Sequence, residues 1–160
     1  MKKVLFSLLT LIAMVAMTSC GSNDTEKKLN GKWETKMTES GTDMTMVWNL
    51  DADSHKCDIT LNVGMGQMDM ATMKFYGSWK ASSDKIAFSI DEDKCDISFS
   101  DEFKQMTGAS DADLKQLEDQ TVSEFKKELA GMAEEELVSV DETTLVVKEQ
   151  GRNVTFTRVK

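Results

Sequence analysis

Between Trp33 and Phe99 apolar residues return at every second position, and that period admits few folds. A chain that alternates in this way puts one face of a strand in an apolar interior and the other in water. Met44, Met46, Trp48 and Leu50 fall on one face, with Thr45 and Asn49 on the other. Cys57, Ile59, Leu61 and Val63 repeat the pattern against Asp58, Thr60 and Asn62. Ile86, Phe88 and Ile90 follow, then Cys95, Ile97 and Phe99. Polar clusters separate the runs: "ESGTD" at 39–43, "DADSH" at 51–55, "SSD" at 82–84 and "DED" at 91–93. Short strands divided by turn chemistry predict a mainly β chain, a meander closing into a barrel or a sandwich. Strands resume at 137–140, 144–148 and 153–159, the last two turning at "EQGRN".

Residues 101–135 break this period. Leu114, Leu117, Phe125, Leu129 and Met132 recur at helical spacing with charges between them. Ser110 followed by Asp113 resembles a capping box, and a shorter turn around 103–106, ended by Gly108, precedes it. A meander does not require such an insertion. Its apolar stripe must be covered, most simply against the barrel wall or bottom rather than as a lid over an open end.

The first residues read as a targeting segment. Lys2 and Lys3 precede an apolar run from Val4 to Met17, too short for a span of about 20 residues but suited to a secretory signal. "MTSC" then resembles the lipobox of bacterial lipoproteins, which implies removal of residues 1–19 and acylation of Cys20. Residues 20–28 are small, polar and charged, and read as a flexible tether ahead of a single domain over 29–160. A lipid anchor of this kind would hold the chain at a membrane without spanning it, in the cell envelope at the outer membrane.

Without Lys2 and Lys3 the chain keeps 17 basic against 28 acidic side chains, a net charge of −11. Such a field repels nucleic acid and anionic headgroups, so nucleic-acid binding is excluded as an expectation. With 40% hydrophobic residues there is enough apolar material for a true core. Once Cys20 carries lipid, Cys57 and Cys95 remain, in the similar contexts "HKCDITL" and "DKCDISF". An oxidising compartment permits a disulfide between them, and two separately buried thiols are the alternative.

"LNGKWET" opens the first strand with Gly31-x-Trp33, and the last strand carries Arg158 in "TFTRVK". A second copy, Gly77-Ser78-Trp79, lies in mid-chain. Over residues 29–100 and 137–160 the chain resembles the small lipocalin-like lipoproteins common in Bacteroidota. That resemblance implies an up-and-down antiparallel barrel of the calycin type, closed at one end where the Gly31-x-Trp33 stretch packs against Arg158. The helical block lies outside it, and the other short motifs of the lipocalins are absent from the sequence.

Catalytic chemistry finds little support. His55 is the single histidine and sits in a turn, and no nucleophile elbow, phosphate loop or histidine-based metal motif is present. Asp91, Asp93 and Asp96 and the run from Glu134 to Glu136 read as a solvated turn and a helix end, so no catalytic residue, cofactor or metal site is assigned. The methionines are more informative. Met65, Met68, Met70 and Met73 crowd into "GMGQMDMATM", and thioether sulfur suits Cu(I). Met44 and Met46, however, alternate with Trp48 as an interior face would, and a methionine-lined barrel adapts to apolar ligands of varied shape. Met68 and Met70 are out of phase with Met73 and Phe75, so a bulge near 71–72 is needed to bring all of them inside. The expectation is a non-enzymatic protein binding a small apolar or amphipathic molecule in its barrel, lined by Met44, Met46, Trp48, Met68, Met70 and Phe88. A barrel filled by its own side chains is the alternative, and a Cu(I) site in the 65–73 cluster a further one.

Overall fold

The computed structural model describes residues 24–66, 68–129, 134–149 and 151–160, with the side chains of residues 92 and 124–129 left out. Cys20, the signal segment and Met132 lie outside the described residues, as do the side chains of Phe125 and Leu129. Eight strands form a closed antiparallel up-and-down barrel in sequence order, the general architecture of the lipocalin-like barrels. They are β1 (Gly31–Glu39), β2 (Thr42–Asp51), β3 (Lys56–Met65), β4 (Met68–Ala81), β5 (Lys85–Phe99), β6 (Glu134–Val140), β7 (Thr144–Glu149) and β8 (Arg152–Val159). Among the described residues three helices accompany them: α1 (Asp24–Leu29) before β1, and α2 (Asp101–Thr107) and α3 (Asp111–Leu129) between β5 and β6.

The expected alternation is what the barrel uses. Trp33 pairs with Trp48, Trp48 with Ile59 and Ile59 with Phe75, so one inward row runs across four strands. β5 corrects the reading of 91–93 as a turn between two strands. It is one strand whose pairing with β4 skips from Gly77↔Ile90 to Phe75↔Cys95, so the acidic run is looped out as a bulge. Hydrogen bonding resumes beyond it because Ile97 and Phe99 still have inward places to fill.

The barrel has two unlike ends. Call lower the end holding the turns at 51–56, 81–85 and 140–144. There α1 closes the floor, which corrects the reading of 20–28 as tether throughout: residues 24–28 belong to a docked helix. Leu29 is 0% exposed and Glu26 only 4%. Glu26 Oε1 accepts from the Ala81 N–H at 3.2 Å, and Asn30 Oδ1 accepts from Ala52 N–H at 2.9 Å. The lower core gathers Trp33, Trp48, Leu50, Cys57, Trp79, Ile86, Phe88, Leu137, Leu145, Val147 and Phe156, drawn from every strand.

Toward the upper end the wall parts. β1 pairs with β8 only at 32–34 and β5 with β6 only at 85–87, although β1 runs on to Glu39 and β5 to Phe99. The upper cluster therefore comes from β2 to β5 alone: Met44, Leu61, Met73, Phe75 and Ile97. α3 packs along β5, and its Val122 reaches this cluster. The helix stands where β6 falls short and covers a strand edge that would otherwise be bare. Ser110 and Asp113 cap it reciprocally, Asp113 N–H to Ser110 Oγ at 3.2 Å and Ser110 N–H to Asp113 Oδ2 at 3.0 Å. Gly108, at φ 66°, ends α2 in the left-handed region as its sequence position suggested.

Candidate functional site

The lower seal is built from residues the sequence singled out. Arg158 lies over the Trp33 ring, its Cζ 4.0 Å from the centroid, a contact worth about 0.5–2 kcal/mol. The same guanidinium donates to three backbone carbonyls, those of Glu142, Asn30 and Lys28, so one side chain ties α1, β1 and the β6–β7 turn together. Gly31 holds φ 121°, and a Cβ there would meet Arg158 Nη1 at 2.6 Å. In the second Gly-x-Trp a Cβ on Gly77 would stand 2.0 Å from the Ser89 carbonyl oxygen, so only glycine lets β4 and β5 approach. Trp33 and Trp79 donate to the carbonyls of Leu29 and Asp51 at 2.7 and 3.1 Å. His55, the turn histidine, places Nε2 3.4 Å from Glu26 Oε2 and so also faces α1.

Above this seal the interior changes character. Met46, Ile59 and Ile90 face inward and pack against both clusters, yet each is only partly buried. Along the same strands Trp48 and Leu50 below, and Met44 and Leu61 above, are shielded to 5% or less. Val154 on β8 is partly buried at the opposite wall. Trp48 bridges the two regions: its ring packs edge-on to Phe88 at 4.8 Å and against Phe156 at 4.2 Å, and its indole N–H donates upward to Met46 Sδ at 3.0 Å. A thioether is a weak acceptor.

Four of the six expected lining residues thus face the interior: Met44, Met46, Trp48 and Phe88. Met68 and Met70 do not line it. The expected bulge exists, but it falls between Val63 and Gly64 on β3 and leaves Met70 as the extra, half-buried residue on β4. Beyond it Met68 pairs with Met65 at the hairpin tip, where they are 40% and 43% exposed. Met73, by contrast, is 4% exposed inside. The methionine string therefore occupies three environments: rim, bulge and interior. Among the described residues no group of three or more His, Cys, Asp or Glu side chains is placed to hold a metal ion.

Of the two readings left open for Cys57 and Cys95, the structure shows separate thiols: no disulfide joins them, and one lies in the lower core and the other beside the upper cluster. Burial, with the Asp58 charge adding to it, pushes the Cys57 thiol up to about 12.

Sequence reading missed two residues, Glu135 by treating 134–136 as a solvated helix end and Glu149 by placing it in the "EQGRN" turn. Both continue inward alternations, Glu135 two positions before Leu137 and Glu149 two after Val147. A hollow of about 290 Å³ lies outside the barrel between α2 and α3, walled by Phe103, Leu114 and Leu117 with Asp113, Gln116 and Gln120.

No family model and no curated protein matches this chain. Among solved structures it is similar to an uncharacterized protein from Bacteroides eggerthii, at 11% identity and a TM-score of 0.44, over 81% of this chain and 98% of that one. A likeness at that level transfers neither ligand nor role.

Proposed function

We propose that this chain is a lipid-anchored envelope protein, at the outer membrane, of the lipocalin-like lipoprotein kind, which binds a small apolar or amphipathic molecule non-catalytically in the upper half of its barrel. The observation that carries the reading is the inward, incompletely buried belt of Met46, Ile59 and Ile90 between two packed clusters. A molecule seated there gains about 25 cal/mol for each Å² of apolar surface removed from water. Methionine and aliphatic walls fit varied shapes at small cost. Entry would be from the upper end, where the strands separate on both sides of the β6–β8 unit. The lower end, tied to the N-terminal segment that bears Cys20, would face the membrane.

Native mass spectrometry of the protein, released gently from its host, tests the reading. An organic mass lost on denaturation supports it and begins to identify the ligand. A bare polypeptide that also fails to take up added alkyl compounds leaves a barrel filled by its own side chains. A copper adduct that Met65→Leu with Met68→Leu abolishes would move function to the rim methionines.

A further inference from the structure

β6 and β7 interrupt the apolar lining at one place. Leu137 and Val147 are ladder partners, and both are buried in the lower core. One alternation higher on each strand stand Glu135 and Glu149, each continuing its strand's inward alternation just beyond the last paired residues, Glu136 and Lys148. On its other side Glu135 pairs with Ile86, which is 0% exposed. Like charges set across a sheet destabilise it. A barrel that served only to fill itself would gain by placing apolar residues there. Burial pushes both carboxyls up to about 7, and the charge of Glu135 adds to the shift of Glu149.

Glu149 Oε1 is shut off from solvent and, among the described residues, accepts no hydrogen bond. Most buried polar groups are bonded, and one that is not costs free energy that a ligand's donor would recover. Neighbouring cations are engaged elsewhere: Lys85 with Glu134, and Lys148 with Glu136 at 3.3 Å. Arg152, the ladder partner of Glu149, is an exposed residue at the hairpin end. Met46 on β2 and Ile59 on β3 stand across the barrel from β6 and β7, and Ile90 lies on the neighbouring β5, so the lining is acidic on one side and apolar on the other.

We infer that Glu135 and Glu149 receive the head of the ligand, which is therefore an amphiphile with a protonated amine or guanidinium head and an apolar tail. The assignment rests on the interior-binding reading above and narrows it. The tail lies against the methionine and isoleucine wall, and the head donates to the two carboxylates. A carboxylate-headed lipid would meet two like charges in a chain of net charge −9.

The test is a titration of the full chain at pH 8, read by tryptophan fluorescence, with three probes of one chain length: dodecylammonium, dodecanoate and dodecyl glucoside. Dodecylammonium is expected to bind at least tenfold more tightly than dodecanoate. Glu135→Gln with Glu149→Gln should bring the two within about twofold while leaving the glucoside affinity unchanged. Asp53→Asn with Asp69→Asn alters net charge equally on the outer surface and should keep the preference, separating a site from general attraction. Equal binding of all three probes by the unaltered protein would overturn the head-group assignment and leave interior binding standing. Binding of none of them would overturn both.

Discussion

The two halves of this barrel are made from the same four central strands and yet are held together differently. In the lower half every strand contributes to one core, and its polar groups find defined partners. Three tryptophans pack there, two donating to backbone carbonyls, and Arg158 fastens the floor through three more. In the upper half only β2 to β5 supply the cluster, and α3 replaces missing wall. The lining shifts from tryptophan to methionine, and two carboxylates face inward. A half that is over-determined can carry a half that is left accommodating. Stability resides in the first, and under the proposed function the second would be shaped by its ligand.

Substitutions that respect this division should separate sharply. Gly77→Ala, which drives a Cβ into the Ser89 carbonyl, should cost about 3 kcal/mol or more in urea denaturation, since backbone cannot yield as a side chain can. Gly66→Ala, at the upper hairpin tip with φ 66° and nothing within 4 Å, should cost only about 1–2 kcal/mol for the left-handed backbone. Equal costs would erase the contrast. Arg158→Lys should come next, at about 1–2 kcal/mol, because a single ammonium cannot span three carbonyls while lying over an indole. Hydrogen exchange should then quicken first in α1.

The pH response belongs to the upper half. The Glu149 carboxyl is raised to about 7 from the usual 4.5, so the protonated form is the one the fold favours. Its contribution is fully present below pH 4.5 and is lost as pH rises through about 7. Glu149→Gln should therefore match the unaltered protein near pH 4.5 and exceed it by about 1 kcal/mol at pH 8.5, after discounting for solvent. Asp51, Asp113 and Asp141, lowered by local hydrogen bonds, act in a separate window below the usual 3.8 and with the opposite sign. Smallest is the difference between the thiols. With its thiol pushed to about 12 inside the lower core, Cys57 should resist iodoacetamide at pH 8. Half-buried Cys95 should be modified at least about tenfold faster, read by peptide mass mapping.

The lower half was legible because it depends on local pattern. Alternation placed Trp48, Leu50 and Cys57, and the Gly31-x-Trp33 stretch with Arg158 located the seal. What the sequence concealed depends on contacts far apart along the chain. "DTEKKL" is polar enough to pass for tether, and it is distant partners such as the Ala81 N–H and His55 that give Glu26 a reason to be buried. Met70 was misplaced because a one-residue shift in the bulge exchanges inside for outside. Glu135 was read as solvent-facing because its two flanking glutamates are helix-end chemistry in isolation. Its inward side is set by Leu137 and by pairing with β5.

The upper interior can be watched directly through isotope-labelled methionine methyl groups while the protein is titrated with dodecyl glucoside. Met44, Met46 and Met73 line or adjoin the proposed site, and Met106, exposed on α2, serves as a reference outside the barrel. Saturable shifts at Met46, with Met44 or Met73, while Met106 stays still, are the predicted result. Shifts at Met106 alone, or no saturable shift at any inner methionine, would contradict an interior that binds.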